Sequence, residues 1–179
     1  MLRAALLAVV VLAVAGCGGD SEPSASEEYA NKVCSSFSTW LTDVQTTVQT
    51  VTDAGLGTTK EDLQSAVDDV STATDTLGGD LESAGPPDTE DGQKAASEVE
   101  DLMSEIRDQL ATIQSALDSN AGILSIATTV STSVSTALTD LESTYNNLKD
   151  LDPAGELRDA FENSDDCNSL QDQVDNIRS

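Results

Sequence analysis

The chain has 179 residues, enough for one or two domains, and sets 8 Lys and Arg against 33 Asp and Glu for a formal net charge of −25. It has no histidine, three cysteines, one tryptophan, two tyrosines and two phenylalanines, so its core must be built from Leu, Val, Ile and Ala. A nucleic-acid surface needs a basic stripe that is missing, and Ser-His, Cys-His or metal-His catalysis has no imidazole to use.

Met1-Leu2-Arg3 opens the chain with a positive charge, and Ala4 to Ala15 is apolar throughout. Crossing a bilayer takes about 20 apolar residues. The run is shorter and has the length of a signal-peptide core. It ends in Val14-Ala15-Gly16-Cys17, and the segment resembles the lipobox of bacterial lipoproteins. The resemblance covers residues 1–17 alone. It implies cleavage before Cys17, a diacylglycerol on the Cys17 thiol and an acylated, palmitate-type N-terminus. The protein would then sit at the cell membrane, on its extracytoplasmic face. The competing reading is an ordinary secretory signal with Cys17 incidental. Two or more acyl chains, each gaining about 0.8 kcal/mol per buried methylene, tether a protein without spanning.

Residues 1–16 therefore read as signal peptide, 17–25 as a lipidated tether and 26–179 as the folded domain. Gly18-Gly19-Asp20-Ser21-Glu22-Pro23-Ser24-Ala25 is small, polar and rich in Gly and Pro. As a coil it reaches about 15 Å.

From Tyr29 onward apolar residues recur every three or four positions, the spacing of one helix face. The first stretch runs Tyr29, Val33, Phe37, Trp40, Val44, Val48, Val51 and stops at Gly55 and Gly57. The second opens at Thr58-Thr59-Lys60-Glu61, read as a capping box between Thr58 and Glu61. It continues through Leu63, Val67, Val70, Thr74, Leu77, Leu81 and Ala84 to Gly85-Pro86-Pro87. The third holds Ala95, Val99, Leu102, Ile106, Leu110, Ile113 and Leu117, up to a bend at Asn120 and Gly122. The fourth spans Ile123 to Leu151. Asp152-Pro153 signals a short helix with Leu157 and Phe161. A turn at 163–166 leads to a last helix carrying Cys167, Leu170, Val174 and Ile177.

The expected fold is all-α: an antiparallel four-helix bundle, its short C-terminal helices tied back by a disulfide. Short turns make successive helices antiparallel neighbours, each about 40 Å long at 1.5 Å per residue. The Gly and Pro breaks speak against an extended coiled coil, and the regular apolar stripe against a disordered acidic chain.

In an up-down-up-down bundle the start of the first helix and the end of the fourth share one end. Cys34 and the chain carrying Cys167 thus meet, and an exported chain meets an oxidising compartment. A disulfide follows. Free thiols or a redox pair are the alternative, without CxxC spacing or a basic neighbour to support them. The same topology gathers Tyr29, Phe37, Trp40, Tyr145 and Phe161 near the tether, either as an apolar ligand cluster or as local core.

No charge falls between Asp118 and Asp140, although residues 119–139 include ten Ser and Thr. This stretch is either covered on several sides, with hydroxyls bonded to their own carbonyls, or a smooth face for a partner. The first is preferred. Most acids lie off the apolar beat, as on a solvated helix face. Asp150 to Gly155 lacks an oxygen ligand at loop position 5 and a bidentate Glu at 12, so no calcium site is expected there. Neither cofactor nor metal is called for, and no enzyme.

Composition and the Cys-tied helical frame resemble small helical envelope lipoproteins of high-GC Gram-positive bacteria. The leading expectation is a non-enzymatic envelope interaction or structural role through helix faces, with a protein partner or a second copy. The alternative is a carrier that holds an apolar or lipid-like ligand between helices. Membrane contact would come through the lipid anchor, and nucleic acid is excluded.

Overall fold

The computed structural model describes residues 23–54, 58–119, 122–151 and 155–178. Cys17 and the signal segment lie outside these residues. Six helices follow one another: α1 (Ala25–Ala54), α2 (Lys60–Ala84), α3 (Glu90–Asp118), α4 (Ile123–Asp150), α5 (Glu156–Asn163) and α6 (Asp165–Arg178). Among the described residues there is no strand, and no helix is long and apolar enough to cross a membrane.

Local chemistry sets the helix starts. At α1, Ser24 Oγ accepts from Glu27 N (3.2 Å) and Glu27 Oε2 accepts from Ser24 N (2.7 Å), a reciprocal capping box that the tether reading overlooked. The α2 box lies one residue later than expected. Thr59, not Thr58, accepts from Asp62 N, and Asp62 accepts from Thr59 N at 2.9 Å. Thr58 Oγ1 instead donates to the Val51 carbonyl at 3.2 Å. Thr89 caps α3 by accepting from Gly92 N at 3.0 Å. Helix α5 starts at Glu156 with Gly155 as its N-cap, later than Asp152-Pro153, which lies outside the described residues. The expected turn at 163–166 shrinks to Ser164, whose hydroxyl accepts from Cys167 N at 3.2 Å and so starts α6 at once.

The long helices run up, down, up and down. Helix α1 packs on α2, α2 on α3 and α3 on α4. The fourth side of the bundle is built differently. Helices α5 and α6 pack against both α1 and α4, while α1 and α4 make almost no close approach of their own. The C-terminal pair is thus a wedge in the α1–α4 seam. Helix α6 lies parallel to α1, as three successive links show. Ser164 Oγ donates to Asn31 Oδ1 (2.6 Å), Cys34 bonds Cys167 (Cα–Cα 4.8 Å), and Gln173 Nε2 donates to Ser38 Oγ (2.7 Å).

The apolar interior falls into two parts. A large one holds Tyr29, Phe37, Leu102, Leu141, Phe161 and Leu170 with their neighbours around the disulfide. A small one, at the end where α2 begins, holds Leu63, Val67, Ile113, Leu117 and Ile126. There Lys60 Nζ reaches the Ser119 carbonyl at 3.4 Å.

Candidate functional site

The space between the two parts of the core follows from helix lengths. Helix α6 has 14 residues, about 21 Å at 1.5 Å per residue. Its last apolar side chain, Ile177, stands beside Leu41, Val44 and Leu138. Beyond it no described side chain wedges α1 and α4, and their facing side chains are short. Val44, Val48 and Val51 on α1 meet Val130, Val134 and Ala137 on α4. Valine and alanine do not reach across such a gap, so it stays open.

Two adjoining hollows result, about 270 and 570 Å³ in volume. They share Val44, Val48, Val134, Leu138 and Ile177 among their walls. The smaller is floored by Trp40 and Ile106; the larger reaches to Leu63, Leu117 and Ile126. Among the described residues no Asp, Glu, Lys or Arg lines either one, in a chain of net charge −25. The polar residues on the walls are uncharged: Gln45, Thr47, Gln49 and Thr52 of α1, Gln109 of α3, and Ser131, Ser133 and Ser135 of α4. Val48 is 40% exposed at the lip. A largely apolar cleft of this size with a few polar groups has the general make-up of a small-molecule site.

Trp40 is fixed by its own polar atom. Its indole N–H donates to Thr74 Oγ1 across the α1–α2 contact at 3.0 Å, with both residues buried. A buried indole needs such an acceptor.

All five aromatics belong to the large core, which is the local-core alternative of the sequence reading. Tyr29 and Phe161 meet edge to face at 6.3 Å, and Tyr145 Oη donates to the Phe161 carbonyl at 3.4 Å. These three, with Phe37, lie in the large core, and only Trp40 borders the cleft. The reason is the wedge: α5 carries Phe161 into the seam, where it fills the space that a ligand would need. Burial, and secondarily the Glu100 carboxylate, pushes the Tyr29 phenol up to about 12. Burial and Glu162 raise Tyr145 as well, and Lys149 Nζ sits 4.5 Å from its ring centroid.

The preferred covering of the charge-free stretch holds only in its second half, where Ser133, Ala137 and Leu138 are buried. Of residues 122–132 only Ile126 is buried, and Leu124 is 82% exposed. The wedge is too short to cover this half of α4. The hydroxyls do behave as expected: Thr128, Thr129, Thr132 and Thr139 each donate to the carbonyl four residues back.

A third, polar hollow near the start of α1 is bordered by Glu27, Glu156, Asp159, Asp165 and Asp166. Among the described residues no three carboxylates or cysteines are grouped to hold a metal. The cleft signal that sequence reasoning missed lies in side-chain size, since Val and Ser replace Leu where the seam opens. No protein-family model, curated protein or solved structure matches this chain.

Proposed function

We propose that the protein is a lipid-anchored extracytoplasmic binding protein that holds one apolar chain in the α1–α4 cleft, making and breaking no bond. The observation that carries this is the absence of charge, among the described residues, from a cleft of about 570 Å³ in so acidic a chain. At about 30 Å³ per water-sized group, that volume accepts on the order of ten to twenty methylenes. Around the mouth a partner helix would meet a half-exposed Val48 among small or polar side chains such as Gln49, Thr52, Ala127 and Ser131, little for a hot spot to grip. The anchor at Cys17 rests on the lipobox resemblance.

The test uses the exported chain with Cys17→Ala, recovered without detergent, and the uncharged dye N-phenyl-1-naphthylamine. Dye emission should rise on binding while Trp40 emission shifts. Val134→Phe, which sets a ring where the two hollows adjoin, should weaken the dye at least tenfold without unfolding the chain. Unchanged dye affinity in that variant, or a stable dimer that excludes the dye, overturns the reading. For the anchor, Cys17→Ala should move the protein from the membrane fraction to the soluble one; persistence in the membrane fraction overturns it.

A further inference from the structure

We infer that the natural ligand is a single-chain amphiphile with an uncharged, hydroxyl- or amide-bearing head, and that the cleft selects against the carboxylate of the same chain length. This deepens the proposed binding role and rests on it.

The hollows differ in what they offer. The larger has a wall of Leu63, Val67, Leu117, Ile126 and Val130, which suits a hydrocarbon tail and nothing polar. The smaller brings three amide side chains, Gln45, Gln49 and Gln109, to a space that also meets buried Ser133. Amides and hydroxyls both donate and accept, so they satisfy a hydroxyl or amide head without a counter-ion. A carboxylate fares worse. Among the described residues no Lys or Arg lines either hollow, and a charge moved from water into such a place needs a partner of opposite sign. The field of the whole chain adds to this, since a net charge of −25 disfavours an approaching anion. Gln49 stands exposed at the lip, and half-buried Gln45 and Gln109 lead inward to buried Ser133. A head bonded to these inner groups is partly withdrawn from water, and the tail is covered.

The test is competition against N-phenyl-1-naphthylamine on the Cys17→Ala chain, with monopalmitoylglycerol and palmitate below their micelle concentrations. The glyceride should displace the dye at least tenfold more tightly than palmitate. Gln49→Lys, which sets a cation at the smaller hollow, should raise palmitate affinity at least tenfold relative to the glyceride, each measured against the variant's own dye affinity. Gln45→Leu with Gln49→Leu should weaken the glyceride several-fold relative to the dye. Palmitate binding as tightly as the glyceride, or indifference of both lipids to these variants, overturns the head-group inference and leaves the binding role standing. A dye that does not bind the parent chain overturns both.

Discussion

Trp40 Nε1 and Thr74 Oγ1 lie 3.0 Å apart in a hydrogen bond that joins α1 to α2 at the floor of the cleft. Thr74 also donates to the Val70 carbonyl at 2.8 Å, so its hydroxyl is both donor and acceptor. Thr74→Val keeps the shape and removes the acceptor. The indole N–H is then buried unpaired, which costs about 1–3 kcal/mol. Urea unfolding followed by Trp40 emission should show the midpoint fall by that amount, while Thr74→Ser stays close to the parent.

Reduction of Cys34–Cys167 should act twice. The bond closes a sequence separation of 133 residues, worth about 5 kcal/mol in the chain-entropy account. Urea midpoints with and without reductant should differ accordingly. The same bond pins the wedge, so dye affinity should fall under reductant at urea concentrations where α-helical circular dichroism is still intact. A paired Cys34→Ser, Cys167→Ser chain should reproduce both effects.

Tyr29 predicts the alkaline limit. Its phenol is raised from an ordinary value of 10.0 to about 12, so the folded state favours the neutral form. That contribution is complete below pH 10 and is lost as pH rises toward about 12. Near-ultraviolet phenolate absorption should rise late and together with loss of helix. Tyr29→Phe should make the fall in stability over this window shallower; Tyr145, raised in the same direction, leaves a residue of it.

The α2 cap predicts an effect of opposite sign in acid. Hydrogen bonds from Thr59 hold the Asp62 carboxyl below the ordinary carboxylate range. This stabilisation is present above the unfolded-state value and fades as pH falls through the folded one. Thr59→Ala should cost about 1 kcal/mol near neutral pH, and thermal melts should show that cost shrinking in acid. Thr58→Ala should cost less, because Thr58 does not cap.

The helices were legible because each buries a single stripe, and a stripe repeats at a fixed spacing whatever its partner. Leu63, Val67, Thr74 and Leu77 illustrate it: all four are buried. The disulfide followed from topology, which places the start of α1 beside the chain after α4. The cleft was not legible in the same way. A void is a property of facing surfaces, and Val48 and Val134 look like ordinary core positions until the helix between them is known to be too short. The aromatics left two readings open, ligand cluster or local core, for a related reason. Phe161 shares an end with Tyr29, but sharing an end does not distinguish a wall from a filling. The boundary errors at Thr58 and at 163–166 arose where two hydroxyl or acidic residues in a row could each serve as the cap.

The cleft also separates two bodies of unequal strength. Leu63, Val67, Ile113, Leu117 and Ile126 form a small core of their own, joined to the disulfide-tied mass along α1–α2 and α3–α4 but open to the cleft between α1 and α4. Amide deuteration should reach the outer turns of α2, α3 and α4 well before Val99, Leu141 or Leu170, and saturation with an acyl guest should narrow that difference. The occupant would then serve as mortar, making one cooperative block of a protein that otherwise yields in two stages.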